Sequence, residues 1–172
     1  MKNQIRFPIS VAIVLVLVAV AFAQQIKVDY DHHADFSQFK TYSWAKVETP
    51  DTLWDQRVKD AIDRTLAAKG WTQVPLDGSV SLVAIGTTRE KPTLQTFYNG
   101  FGGWRWGGFG EAITYVDNYQ VGTLIVDIFD TSSKRLVWRG SASDVLASKP
   151  EKNEKKLDKA VEKMFDHFPP RG

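Results

Sequence analysis

Hydrophobic positions along the chain change period several times, and each change marks an element. Gln25–Tyr30 puts Ile26, Val28 and Tyr30 at every second position, the alternation of a strand. Thr41–Ala45 reads as a second strand, ended by Thr49-Pro50-Asp51. Trp54, Val58, Ala61, Ile62 and Leu66 then recur at three- and four-residue steps, one face of a helix. Thr52 is predicted to cap it with Asp55 as the reciprocal partner, and Gly70 to end it after Lys69. Trp71–Val74 is a short extended piece, and Ser79–Thr88 is a strand with Val80, Leu82 and Ala84 on one face. Lys91–Gly110 is expected to be a loop of about twenty residues, far longer than usual. Ala112–Asn118 and Gln120–Asp130 are β-rich, and Gly122–Asp130 is apolar enough for a central strand. Thr131–Lys134 is a hairpin turn and Arg135–Ala142 its return strand. A last helix is predicted from Leu157, Ala160, Val161, Met164, Phe165 and Phe168, with Ser148 as its cap and Glu151 completing a capping box. Pro150 stands near its first position and Pro169-Pro170 stops it. Strands in two groups with two one-sided helices predict an α+β fold. The expected form is a two-layer sandwich, with one mainly antiparallel sheet of about five to six strands and both helices on one face.

Ahead of this pattern, Ile9 to Phe22 is almost unbroken Val, Ile, Leu and Ala, preceded by Lys2 and Arg6 and no acid. Ala21-Phe22-Ala23 has the small-x-small form that signal peptidase accepts. Residues 1–23 are therefore expected to be a signal peptide and 24–172 a single α+β domain, periplasmic or secreted after cleavage near Ala23/Gln24. The rival reading is an uncleaved anchor. A spanning helix needs about 20 apolar residues, whereas Ile9–Ala23 is 15 residues long.

Removing the leader changes the charge. Lys2 and Arg6 are two of 22 basic residues, so twenty remain against twenty acidic ones. A neutral domain has no electrostatic case for nucleic acid, whose binding rests on phosphate neutralisation. There is no cysteine, which excludes disulfides, thiolate catalysis and cysteine-ligated metal. It also leads to the expectation of no lipid anchor, with peripheral membrane contact still open.

Three stretches together resemble a bacterial family catalogued as domain of unknown function 4136. They are Val28–Asp31 leading to Ala34–Trp44, then Gly122–Asp127 with Leu136–Gly140, and finally Glu162–Phe165 through Phe168-Pro169-Pro170. The likeness covers about residues 26–170. It implies a bacterial envelope protein, many such proteins having a lipoprotein leader, with no catalytic residues to carry over. The chain departs from the pattern in lacking a lipobox cysteine and in having His32 after Asp31, where a turn proline is expected.

Two segments could carry chemistry. Asp29, Asp31, His32, His33 and Asp35 concentrate imidazole and carboxylate groups that suit a metal ion. Adjacent residues of an extended segment point apart, however, and the competing reading is a turn whose Asp side chains bind backbone amides. Asn99–Gly110 sets Phe101, Trp104, Arg105, Trp106 and Phe109 among six glycines. Those aromatics could stack on a sugar or peptide, insert at a membrane interface, or fold back over the open face of the sheet. Trp138 is expected in the core and Arg139 to pair across strands with Asp127 or Asp130. No catalytic residue or cofactor motif is found. The reading is an exported envelope protein, a non-enzymatic binding or accessory module whose Gly/Trp-rich loop contacts an envelope component or protein partner. The alternatives are a metal-dependent hydrolase using residues 29–35 and a purely structural envelope protein.

Overall fold

The structure, a computed structural model, describes residues 24–98 and 112–170, with only the backbone described for 93–98 and 112–117. The elements run β1 (Gln25–Tyr30), β2 (Thr41–Glu48), α1 (Thr52–Ala68), β3 (Thr72–Gln73), β4 (Val80–Tyr98), β5 (Ala112–Asp130), β6 (Leu136–Val145) and α2 (Pro150–Met164). They form one six-stranded sheet in the order β1-β6-β5-β4-β2-β3. β1, β6, β5 and β4 pair antiparallel, while β2 pairs parallel with both β4 and β3. The parallel β2–β4 pair is joined through α1, as a crossover requires. This is the expected α+β sandwich, with a mixed sheet.

Strand alternation decides which face is covered. Val80, Leu82 and Ala84 of β4, Leu124, Val126 and Ile128 of β5 and Trp138 and Ala142 of β6 are buried and adjacent in register. Against them α1 sets Val58, Ala61, Ile62 and Leu66, and α2 sets Ala160, Val161 and Met164. Trp138 stacks on Phe165 at 4.6 Å, and Phe168 meets both rings edge-on at 5.3 Å. A carboxylate ties α1 to the sheet. Asp63 accepts from Tyr42 Oη at 2.7 Å, Trp44 Nε1 at 2.9 Å and Lys59 Nζ at 2.6 Å. Burial, then the bond and charge of Asp63, raise the Tyr42 phenol above its ordinary pKa.

Both predicted caps shift by one residue. Asp51, not Thr52, caps α1, its side chain accepting from Leu53 N at 3.0 Å. At α2 the capping position is Lys149, which makes no side-chain cap bond. The loop before it is held instead by Asn153, bonded to both Ala147 N and Ala147 O. Gly70 does end α1, in the left-handed region at φ +80°.

The expected loop from Lys91 to Gly110 is corrected. β4 runs on to Tyr98, and Ala112–Asn118 with Gln120–Asp130 is one strand, so the two pair in unbroken register from Val80↔Asp130 to Tyr98↔Ala112. Pro92 argues against a central strand, but among the described residues only β5 lies beside its strand at this point.

Candidate functional site

The same pairing builds a projecting feature. β2 accompanies β4 only as far as Ile85, and the β6 segment leaves β5 near Gln120. Beyond that, Lys91–Tyr98 and Ala112–Tyr119 form a two-stranded arm with no third strand among the described residues. At about 3.3 Å per residue it extends about 25 Å past the sandwich. A two-stranded hairpin is marginal by itself, and this one is held because both strands continue into the core. The segment joining its two strands contains Phe101, Trp104, Arg105, Trp106 and Phe109, which lie outside the described residues.

At the root of the arm, the two helices part and leave a cleft of about 240 Å³ over the sheet. Trp54 and Val58 of α1 form one wall and Asn153, Lys156, Leu157 and Ala160 of α2 the other. The floor is Gly86, Gly122, Leu124 and Ala142. The two glycines let neighbouring chain lie against the floor: a Cβ on Gly86 would meet Thr49 Cγ2 at 2.9 Å, and one on Gly122 would meet Leu146 Cδ2 at 2.8 Å. The charged groups on the border are engaged. Asp51 caps α1, and Lys156 Nζ bonds Asp144 at 3.3 Å and Val145 O at 2.6 Å. An apolar hollow with satisfied polar rims suits a hydrophobic ligand and offers no acid–base pair.

In the Asp/His segment the carboxylates are occupied with the turn itself. Asp31 Oδ1 accepts from His33 N at 2.9 Å and its Oδ2 from Arg135 Nη2 at 2.8 Å. Asp35 Oδ1 takes Ser37 N and Ser37 Oγ, bonds that lower its pKa, and Asp29 Oδ1 takes Tyr30 N. His32 lies over Tyr30 at 4.4 Å. His167 borders the same shallow depression as His32 and His33, a convergence that residue spacing did not reveal. Among the described residues no group of three or more His, Asp or Glu side chains is placed to hold a metal ion. Arg139 makes the expected cross-strand pair, with Nε and Nη2 both 2.6 Å from the Asp127 carboxylate oxygens. This pairing raises the Arg139 pKa.

A two-layer α+β domain with a long hairpin arm and an apolar cleft is the class that this geometry defines. The chain belongs to the family described as Domain of unknown function (DUF4136), which matches residues 26–170. No curated protein matches it. Similar solved structures include a PDZ domain protein from Parabacteroides distasonis, 13% identical at a TM-score of 0.58, covering 87% of this chain and 37% of that one. This chain thus spans little more than a third of that protein. A variant PelC dodecamer from Paraburkholderia phytofirmans is 13% identical at a TM-score of 0.54, covering 87% of this chain and 100% of that one. These likenesses establish the fold. Lipoprotein GNA1162 from Neisseria meningitidis is also similar, 13% identical at a TM-score of 0.41, covering 74% of this chain and 99% of that one. Lipoproteins are among the similar solved structures, and the expectation of no lipid anchor is withdrawn. A missing cysteine excludes a thioether-linked lipid only on these 172 residues.

Proposed function

We propose that this is an exported cell-envelope binding module. Residues 1–23 are a leader removed near Ala23/Gln24, and the domain 24–172 works in the periplasm or beyond it. The Gly- and Trp-rich segment carried by the arm makes the contact with an envelope component or protein partner. The observation that supports this reading is the arm, whose described strands Lys91–Tyr98 and Ala112–Tyr119 run on for about 25 Å beyond the part of the sheet that has neighbours on both sides. An apolar main cleft also supports binding over catalysis. A photo-crosslinking residue in place of Trp104, in living cells, tests the proposal against the same residue in place of Leu76, which is 78% exposed on the body. Adducts specific to the Trp104 position are expected. The same adducts at both positions, or none at either, would refute it.

A further inference from the structure

The apolar cleft is graded from mouth to floor, and strand register sets the gradient. Side chains two apart on a strand share a face, so the pairing gives the rows of the sheet that face the helices. Thr88, Gly122 and Asp144 make one row across β4, β5 and β6. Gly86, Leu124 and Ala142 make the next, and Ala84, Val126 and Gly140 the third. The first row is open, with Thr88 exposed and Asp144 half-buried. The second is the apolar floor of the cleft, and in the third Ala84 and Val126 are fully buried, so the hollow ends there. A ligand that fits this gradient is polar at one end and apolar at the other.

The charges at the mouth select the polar end. Asp51 and Asp144 are the acidic lining residues and Lys156 the basic one, two carboxylates against one ammonium. Asp51 uses Oδ1 to cap α1, and Asp144 uses Oδ1 toward Lys156. A carboxylate accepts on both oxygens, and the Oδ2 of each is without a hydrogen bond among the described residues. The mouth therefore repels an anionic head and has acceptors to spare for a cationic one. Volume limits the apolar end. A cavity of about 150 Å³ admits benzene, with six carbons. At about 240 Å³ this one admits about ten by the same measure.

We infer that the cleft binds a single-chain amphiphile with a cationic head. Its apolar part lies over Leu124 and Ala142, and its ammonium sits at the mouth, where Asp51 and Asp144 accept from it. The site is built without the segment that the arm carries, so the two binding activities are separable.

Titration calorimetry of the purified full chain tests this with three ligands that share one chain length, decylammonium, decanol and decanoate, each below its micelle concentration. Decylammonium should fill one site at least about five-fold more tightly than decanoate, the factor that one ionic contact at about 4 Å in water supplies. Decanol should fall between them. Asp51→Asn/Asp144→Asn leaves Lys156 as the charge at the mouth and keeps a capping side chain on α1, and there decanoate should bind the more tightly. Leu157→Trp fills the hollow and should weaken decylammonium at least about ten-fold, since excluding two methylenes already does so. Thr88→Trp, at the exposed mouth, takes its place should Leu157→Trp disturb folding. Decanoate binding as tightly as decylammonium to the wild type would overturn the inference. So would an unchanged preference in the double Asn variant, undiminished binding to the filled cleft, or no binding by any of the three ligands.

Discussion

A single methyl group on Gly140 probes the contact between sheet and α2. Gly140 lies in β6 opposite Val126 and Val28, and α2 passes directly over it. A Cβ at this position would overlap Met164 Cγ and Sδ and would sit 2.5 Å from Trp138 Cη2. Ordinary carbon contacts lie at about 3.5–4.0 Å, so something must move by about 1 Å. Met164 and Trp138 are each 1% exposed, and Trp138 is held by its stack on Phe165. Overpacking of this kind costs about 1–3 kcal/mol, and with three atoms in conflict the upper end applies. Against it, alanine in a strand interior recovers about 0.5–1 kcal/mol of chain entropy relative to glycine. The clash wins, and Gly140→Ala should destabilise by about 2 kcal/mol. For a domain of this size that lowers the melting temperature by about 4–8 °C. Reversible urea unfolding supplies the free energy and a thermal melt the temperature. Met164→Ala alone opens a cavity and costs about 2–5 kcal/mol. In combination, the two substitutions should cost at least about 1 kcal/mol less than their sum, because the removed side chain is the one obstructed. A Gly140→Ala melt within about 1 °C of wild type, or strict additivity in the double variant, would refute the packing argument.

Three further outcomes test other joints of the fold. Asp51→Ala should cost about 1 kcal/mol in urea unfolding whereas Thr52→Ala costs less than half of that, since Asp51 makes the cap. Asp63→Ala leaves Tyr42 Oη, Trp44 Nε1 and Lys59 without their shared acceptor, and should cost about 3 kcal/mol by the same measurement. Asp130 accepts from Ser132 and Ser133 in the β5–β6 turn, which lowers its pKa. A depressed folded-state pKa gives stability that is present above the unfolded value of about 3.9 and is lost as pH falls through the folded value. Asp130→Asn should therefore destabilise at pH 7 and approach wild type as the pH falls below the folded value, and an equal difference at both pH values would contradict this.

Elements whose signal is local were legible in the sequence. The helical stripe from Leu157 and the turn at Thr131–Lys134 each depend on neighbours in the chain, and each forms, although α2 ends at Met164 and leaves Phe165 and Phe168 beyond it. A cross-strand ion pair at Arg139 was legible from the hairpin, with Asp127 and Asp130 both open as partners, and the register selects Asp127. The extension of β4 was not. Lys91 and Pro92 break the apolar alternation, and they are tolerated because no second strand among the described residues lies beside them, which is a matter of topology. A usable signal did exist: Thr93–Tyr98 and Ala112–Tyr119 are both rich in β-branched and aromatic residues and flank the glycine-rich stretch symmetrically, as hairpin arms do. The α1 cap shifted because Asp51 and Thr52 both carry oxygen acceptors, and the backbone entry angle chooses between them. The cleft was illegible for a different reason. It assembles Gln24, Gly86, Gly122, Leu146 and Lys156 from five parts of the chain, and only the mid-strand glycines hinted that chain would lie close to the sheet.

In the proposed function, recognition resides at the end of the arm and stability in the sandwich beneath it. Replacing residues 99–111 by Asn-Gly, a turn that suits a two-residue hairpin connection, separates the two. Co-sedimentation with isolated envelope fragments should fall to the background of an unrelated protein, while the melting temperature stays within about 2 °C of wild type. Undiminished co-sedimentation by the shortened, fully folded chain would contradict the claim.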